Sequence, residues 1–171
     1  MQKVTQSINQ TNQRLSERRA MFPGSFNPFT IGHLSLVERG LEIFDTIVIA
    51  VGISSSKQVT EADIIERINP IQQLFHDNKR IEVIYYTGLT VDAARSNNCQ
   101  FLLRGVRNCI DMEYEKTLAD INRRIAGIET VILLTLPEHS SISSSMVREL
   151  KHYGHDVNDF LPDTTHNFSN D

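Results

Sequence analysis

Strand–helix alternation is the feature that most constrains how this sequence can fold. Residues 46–52 form a continuous, largely β-branched apolar run, which is typical of a parallel strand buried on both faces. Runs at residues 19–23, 80–86, 101–103 and 130–136 predict four more strands. Helical segments separate them, and parallel strands require such crossovers. The order therefore predicts an α/β fold, a Rossmann-like doubly wound parallel sheet of five strands with helices on both faces.

The segments between the strands carry helix signals. The spacing of apolar residues in 34–44 is close to the helical period. Thr60 and Asp63 predict a cap for the next helix, in which Pro70 predicts a kink or a break. A break would let a second helix begin there, with Pro70 in its first turn. The other helical predictions are residues 89–97 with Thr90 as the cap, 111–126 ended by Gly127, 143–153 ended by Gly154, and a short turn at 156–161.

Length and composition indicate one globular domain. The chain has 171 residues, of which 40% are hydrophobic and 22% charged. We expect a domain at residues 19–162, a disordered or loosely docked extension at 1–18, and a polar tail at 163–171. The polar N-terminal residues lack the pattern of a signal peptide, and no apolar run is long enough to span a bilayer. Two cysteines are too few for a disulfide framework. We therefore expect a cytoplasmic protein. The net charge of −4 argues against general nucleic-acid binding.

Residues 21–33, Met-Phe-Pro-Gly-Ser-Phe-Asn-Pro-Phe-Thr-Ile-Gly-His, predict a strand, a tight loop and the start of a helix. The loop brings a hydroxyl (Thr30), a flexible backbone position (Gly32) and an imidazole (His33) to that helix N-terminus. Free N–H groups and the helix dipole favour an anion at such a position. A helix cap with a packed histidine would give the same short pattern, so this motif alone leaves both interpretations open.

Further polar groups follow the other strands or begin the next helices. Lys57 follows the strand at 46–52, Arg104 and Arg107 follow the strand at 101–103, and serines occupy 143–145 before a helix. A solvated lysine, a surface salt bridge and simple helix capping are the alternative interpretations. Ligands of doubly wound sheets bind outside the carboxyl ends of the strands, where these segments converge. Together they predict an anion site at this edge.

In this combination and order the motifs resemble the phosphopantetheine adenylyltransferases, within the nucleotidyltransferase superfamily marked by (H/T)-x-G-H. The resemblance covers about residues 19–162. It is specific, because Arg-Gly-x-Arg, Asp-x-Glu-Tyr-Glu and Ile-Ser-Ser-Ser are not shared by the superfamily at large. The matching segments are residues 23–33, Lys57, and residues 103–107, 111–115, 120–123, 142–149 and 156–162.

The resemblance implies an enzyme that transfers the adenylyl group of ATP to 4′-phosphopantetheine, giving dephospho-coenzyme A and pyrophosphate. The nucleophile would be a phosphate monoester that is already anionic at neutral pH, so no activating base is needed. Catalysis would consist of alignment and charge stabilisation. Mg²⁺ would be held through the ATP phosphates, with no protein metal site. A homohexamer and feedback by coenzyme A are also implied, and no nucleic-acid or membrane partner is expected.

The resemblance also implies individual roles. His33, Lys57 and Arg104 would be the catalytic residues, with His33 steadying the α-phosphate in the transition state. The acceptor would contact Ser25, Lys57, Thr90 and Arg104. The residues expected to contact ATP are Ser25, Phe26, Thr30, His33, Gly105, Val106, Arg107, Glu115, His139, Ser140, Ser141, Ile142, Ser143, Ser144 and Ser145.

The chain departs from the family pattern in places. Asn27 stands where the family usually has Asp, which removes a negative charge beside the phosphate site. The stretch after Lys57 is one residue longer than expected and carries Pro70, and the lead before Arg19 is extra. Alternative functions are a nicotinate or nicotinamide mononucleotide adenylyltransferase, a cytidylyltransferase, or a catalytically weak nucleotide- or coenzyme-A-binding homologue.

Overall fold

The computed structural model of the protein describes residues 17–54 and 59–163. Most of the predicted N-terminal extension, all of the tail beyond residue 163 and Lys57 lie outside these ranges. The five predicted strands form one parallel sheet in the order β3-β2-β1-β4-β5. Its strands are β1 (Arg19–Gly24), β2 (Thr46–Ile53), β3 (Ile81–Thr87), β4 (Phe101–Val106) and β5 (Glu129–Leu134).

Five α-helices connect and follow the strands within the described ranges, so the predicted doubly wound fold is confirmed. None of them is long and apolar enough to cross a membrane. The helices are α1 (Ile31–Leu41), α2 (Glu61–Leu74), α3 (Thr90–Ser96), α4 (Cys109–Ala126) and α5 (Ser144–His152), and short 3₁₀ turns cover Pro137–His139 and Asn158–Phe160.

The core lies on both faces of the sheet because successive side chains of a strand point to opposite faces. In β2, Ile47, Ile49 and Val51 belong to one buried cluster, while Val48 and Ala50 belong to another. The first cluster contains the apolar faces of α1 and α2, and the second contains that of α3. All five of these β2 residues are fully buried, which explains the unbroken apolar run in the sequence.

Helix α2 begins as predicted but does not break at Pro70. The Thr60 hydroxyl accepts a hydrogen bond from the Asp63 N–H at 3.2 Å, and the Asp63 carboxylate accepts from the Thr60 N–H at 2.8 Å. The helix then continues through Pro70 to Leu74. Pro70 removes one backbone hydrogen bond, but Ile71 beside it is fully buried in the core. Tertiary packing therefore holds the helix together across the proline. Of the two predicted outcomes, the break is wrong and the kink stays a prediction.

Strand β4 is longer than predicted. The sequence prediction ended it at Arg104 and placed residues 104–107 in a loop, whereas the strand extends to Val106 and pairs with β5 along its length. Gly105 permits this arrangement, because a Cβ atom there would lie 2.2 Å from Cδ1 of Leu36 on α1. Arg104 and Gly105 thus stand on a rigid strand end, which fixes the direction of the arginine side chain.

Glycines lie at or just after the ends of α4 and α5. Gly127 ends α4 in the left-handed conformation, with φ of 66°, and its N–H bonds to the Arg123 carbonyl. Gly154 follows α5 with φ of 79°.

The predicted cap of α3 is wrong, because Leu89 occupies the N-cap position without a side-chain hydrogen bond. Thr90 is instead the first residue of that helix.

Candidate active site

Two adjoining cavities open at the carboxyl ends of the strands, around β1 and β4, where the direction of winding changes. The larger has a volume of about 420 Å³ and is lined by the β1–α1 loop, the end of β4, the start of α4 and the segment leading into α5. It brings together most of the predicted nucleotide contacts: Ser25, Phe26, Thr30, His33, Gly105, Arg107, Glu115, His139, Ile142, Ser143, Ser144 and Ser145. Arg104, which was predicted to contact the acceptor, also lines it.

The smaller cavity, of about 270 Å³, shares Ser25, Arg104 and Glu115 with the larger one. Thr90 lies in this smaller cavity, where its hydroxyl is 2.9 Å from the hydroxyl of Tyr86. An elongated ligand could therefore extend from Arg104 along this second space while its charged end remained at the boundary with the first.

The His33 imidazole has a defined tautomer. The backbone N–H of Thr30 donates to Nδ1 at 2.9 Å, and the Thr30 hydroxyl lies 3.0 Å from the same nitrogen. Because Nδ1 is an acceptor, the proton of the neutral ring resides on Nε2. The ring is held between Phe26 and Phe29, whose centroids lie 5.1 and 5.3 Å from its own. His33 therefore offers the cavity one oriented N–H donor.

The same surroundings keep His33 uncharged. Burial lowers its pKa to about 4, and the positive charges of Arg107 and Arg104 contribute in the same direction. At neutral pH the ring is therefore a neutral hydrogen-bond donor and not a cation. It can stabilise negative charge that develops on a phosphate oxygen without itself gaining or losing a proton.

Arg104 is held by three hydrogen bonds to two partners, Glu115 and Pro23. Its Nε donates to Oε2 of Glu115 at 2.8 Å, one Nη bonds to the other carboxylate oxygen, and the second Nη donates to the Pro23 carbonyl at 2.6 Å. Glu115 is only 6% exposed. A guanidinium has five N–H groups, so two remain for a ligand. These contacts orient the arginine towards the boundary between the cavities.

Arg107 forms a second ion pair at the start of α4. Its Nε donates to the Asp111 carboxylate at 2.9 Å, and this contact lowers the pKa of Asp111. Asn108 caps the helix by accepting a hydrogen bond from the Asp111 N–H at 2.9 Å. This pair is more open to solvent than the pair at Arg104, because the carboxylate side chain is 26% exposed here and 8% exposed there.

The N-terminus of α5 forms the opposite wall of the larger cavity. Ser143 caps the helix by accepting a hydrogen bond from the Met146 N–H at 3.1 Å. Ser144 uses its hydroxyl to donate to the Pro28 carbonyl at 2.8 Å, which fastens α5 to the β1–α1 loop. The start of α1 and the start of α5 therefore face one space, and both helix dipoles favour an anion there.

Comparison with known proteins assigns the family. Residues 21–150 match the family model described as cytidylyltransferase-like. A phosphopantetheine adenylyltransferase of Phocaeicola vulgatus is 51% identical over 149 residues, covering 85% of this chain and 96% of the relative. The relative of the same name in Bacteroides thetaiotaomicron is 49% identical over 146 residues, with the same coverage. The chain belongs to the phosphopantetheine adenylyltransferase family. The resemblance inferred from its motifs is thereby confirmed.

Solved structures support the fold at much lower identity. A bifunctional NMN adenylyltransferase/ADP ribose pyrophosphatase of Francisella tularensis matches with a TM-score of 0.63 at 11% identity. The match covers 88% of this chain but only 45% of that protein. This chain and that bifunctional protein therefore share an α/β architecture.

Not every predicted ligand contact of this chain lines the cavities. Val106 points into the core and is 3% exposed. Ser140 donates its hydroxyl to the Pro137 carbonyl at 2.8 Å, and neither it nor Ser141 lines the larger cavity. Lys57 lies outside the described residues. The roles of these four residues, like those of the residues that line the cavities, stay predictions.

Arg148 is a cavity residue to which the sequence interpretation assigned no role. Its guanidinium donates to the Ser145 hydroxyl at 3.1 Å and also to the Asn27 carbonyl. It lines the larger cavity and connects α5 to the β1–α1 loop. The sequence contained the signal for it, because Arg148 lies three residues after Ser145 and so on the same helical face. Because Arg148 bonds the backbone carbonyl of Asn27, the same contact can form with either Asn or Asp at position 27.

Two buried polar atoms in the cavities have no hydrogen-bond partner among the described residues. They are Nδ1 of His139 in the larger cavity and the hydroxyl of Thr130 in the smaller one. Buried polar groups are normally paired, so unpaired ones at a cavity wall indicate positions where a ligand or water completes the bonding. Neither atom's availability was apparent from the sequence, because burial depends on the packed structure.

Because the pKa of His33 is low in the folded protein, we expect the free energy of unfolding to decrease in acid. In the unfolded chain the imidazole takes up a proton near pH 6.5, whereas in the folded protein it does so near pH 4. Between these values the unfolded state binds the extra proton, so stability falls as pH decreases. We expect acidification from pH 7 to 4.5 to cost the wild type about 2 kcal/mol more than His33→Gln. Urea unfolding at both pH values measures this, and equal losses would contradict the low pKa.

Proposed function

We propose that this chain transfers the adenylyl group of ATP to 4′-phosphopantetheine, forming dephospho-coenzyme A and pyrophosphate in coenzyme A biosynthesis. The observation that carries the proposal is the junction of two unequal cavities at Arg104 and Ser25. The larger has the helix termini and donors that suit a nucleoside triphosphate, and the smaller suits the arm of a phosphorylated acceptor. The names of relatives at 49–51% identity support the same reaction.

The chemistry requires positioning more than proton transfer. An acceptor phosphate oxygen attacks the α-phosphorus of ATP, the bond to the bridging oxygen breaks, and pyrophosphate leaves with the electron pair. A phosphate monoester is already anionic at neutral pH, so the acceptor needs no general base. His33 donates from Nε2 to an α-phosphate oxygen, and this hydrogen bond strengthens as negative charge accumulates in the transition state.

Binding of ATP uses the walls of the larger cavity. The α1 and α5 N-termini and Arg107 provide N–H groups for the phosphates. His139 Nδ1 is available to a further group of the nucleotide. The described residues include no group of three or more His, Cys, Asp or Glu side chains that could hold a metal. The carboxylates of Asp111 and Glu115 are already paired with arginines, which suits Mg²⁺ bound mainly through the phosphates.

Binding of the acceptor uses the second cavity. Arg104 presents its two remaining N–H groups to the acceptor phosphate beside Ser25, and Lys57 would add a second positive charge. The pantetheine arm carries amides, for which the paired hydroxyls of Tyr86 and Thr90 and the unpaired hydroxyl of Thr130 are suitable partners. The acceptor phosphate thus lies at the boundary with the larger cavity, close to the α-phosphate that it attacks.

A substrate comparison tests this function. Purified protein with ATP and Mg²⁺ should release pyrophosphate when phosphopantetheine is added, and mass spectrometry should detect dephospho-coenzyme A. Nicotinate mononucleotide should give no release under the same conditions. Release with nicotinate mononucleotide and none with phosphopantetheine would contradict the proposal. Binding of both substrates without turnover would instead support a catalytically weak homologue.

We further propose a cytoplasmic homohexamer. Helix α4 leaves Ile110 80% exposed and also exposes Ile121 and Ile125, and Leu134 at the end of β5 is 63% exposed. Exposed apolar residues that cluster on one element are typical of an interaction surface. Sedimentation of the purified protein should give the mass of six chains, and a monomer at micromolar concentration would contradict this assembly.

A further inference from the structure

A third cavity lies behind the β1–α1 loop and takes no part in the proposed reaction. It has a volume of about 290 Å³ and is enclosed by residues 26–29 of that loop, the second half of α2, α5 and the segment around Leu161. Its volume is at the lower end of the range for small-molecule sites, about 300 Å³ and above. We refer to it as the rear cavity.

The walls of the rear cavity are mainly apolar. Phe29 belongs to the loop, Leu74 to α2, Val147 to α5, and Val157 and Leu161 to the C-terminal segment. Side chains from four separate parts of the chain thus surround one apolar space. Such a lining favours an alkyl or aromatic body, since transfer of each methylene out of water contributes about 0.8 kcal/mol.

Charge around the rear cavity is mainly positive. Arg67, Arg148 and Lys151 line it, and Glu66 is its one acidic lining residue among the described parts of the chain. No ion pair of Lys151 occurs within residues 17–54 and 59–163. An apolar space bordered by an excess of cations is complementary to a small molecule with an apolar body and one anionic group.

The rear cavity is also connected to the nucleotide cavity through shared residues. Arg148 and Phe26 line both spaces. Arg148 bonds the Asn27 carbonyl and the Ser145 hydroxyl, while Phe26 and Phe29 pack against His33. An anion that competes for Arg148 would weaken contacts holding the β1–α1 loop to α5.

We propose that the rear cavity is a second ligand site, which binds a small amphipathic anion with its apolar body among Phe29, Leu74 and Val157 and its carboxylate at Arg148 and Lys151. Binding there changes the affinity for ATP through Arg148 and the β1–α1 loop. This site does not depend on which acceptor the enzyme uses, so binding can be measured without turnover.

Calorimetric titration of the full chain with hexanoate, octanoate and 1-octanol tests the site. Octanoate should bind at one per chain, on the order of tenfold more tightly than hexanoate because two more methylenes are buried. The uncharged 1-octanol should bind more weakly than octanoate. Affinity that does not change with chain length would overturn the proposal, because it would indicate a general anion effect in the polar nucleotide cavity.

Variants test whether octanoate binds in the rear cavity. Lys151→Gln should weaken octanoate binding about twofold to fivefold, the usual effect of losing a charge–charge contact at an exposed lysine. Val157→Trp should fill the rear cavity and reduce binding at least tenfold. Lys116→Gln is the matched control, because Lys116 lies on α4, away from the rear cavity, and should leave binding unchanged. Equal affinity in Lys151→Gln, Val157→Trp and the wild type, with unfolding midpoints unchanged, would overturn the proposal.

Titration with ATP at increasing octanoate concentrations distinguishes coupling between two sites from competition for the nucleotide cavity. Coupled sites change the apparent Kd for ATP by a finite factor that reaches a plateau. An apparent Kd that rises without limit would mean that octanoate occupies the nucleotide cavity. Octanoate binding seen only after removal of residues 164–171, or only after dilution to dissociated chains, would assign the rear cavity to the chain's own end or to a second copy. Each of these three results would overturn the proposal.

Discussion

His33→Ala should reduce turnover by about 10²- to 10³-fold, the usual effect of removing one preorganised donor to a developing oxyanion. ATP affinity should change by less than about threefold, because most of the binding groups on the helix termini and at Arg107 remain. The expected loss follows from geometry. The Thr30 N–H fixes the tautomer at 2.9 Å, and the packed Phe26 and Phe29 rings fix the orientation of Nε2–H.

Pyrophosphate release at saturating substrates and calorimetric binding of ATP would measure these two effects. His76→Ala is the matched control, because His76 is an exposed histidine, 67% accessible at its side chain, on the surface beyond α2. Its variant should keep wild-type turnover. If His33→Ala retained turnover near the wild-type rate with an intact fold, His33 would have no place in the mechanism.

Arg104→Ala should have two effects that are measured separately. The KM for the phosphorylated acceptor should rise on the order of 10- to 100-fold, because hydrogen bonds to a charged group contribute about 1.5–3 kcal/mol. The free energy of unfolding should fall by about 3–5 kcal/mol, because Glu115 would remain buried without its cation. Steady-state kinetics with each substrate varied, together with urea unfolding, would measure both.

Two further variants test whether the loss of stability comes from the buried carboxylate of Glu115 being left unpaired. Arg104→Ala combined with Glu115→Gln should recover part of the lost stability while the acceptor KM stays high, since no buried charge is left unpaired. Arg107→Ala, which breaks the more exposed pair with Asp111, should cost at most about 1 kcal/mol of stability. An Arg104→Ala effect confined to the KM for ATP would reassign this arginine to the nucleotide.

Several functional residues lie at the carboxyl ends of strands, where the sequence predicts them. His33, Arg104 and Ser143 were expected at one edge of the sheet, and they do line one cavity. The prediction worked because parallel strands bring their carboxyl ends to the same side whatever their order. At Pro70 the sequence predicted a kink or a break, and the break is wrong because burial of Ile71 opposes it. Propensity is a local free energy, and packing of a buried face can exceed it.

The sequence by itself determined the strand and helix alternation, the anion-binding motifs and the family, because these depend on local spacing and residue type. Only the tertiary structure decided the partners that hold the arginines: Glu115 and Pro23 on Arg104, and the Asn27 carbonyl on Arg148. It also decided the rear cavity, to which α2, α5 and the C-terminal segment each add one wall. Partner identity, burial and pKa depend on distances between segments far apart in the chain, and local patterns do not encode those distances.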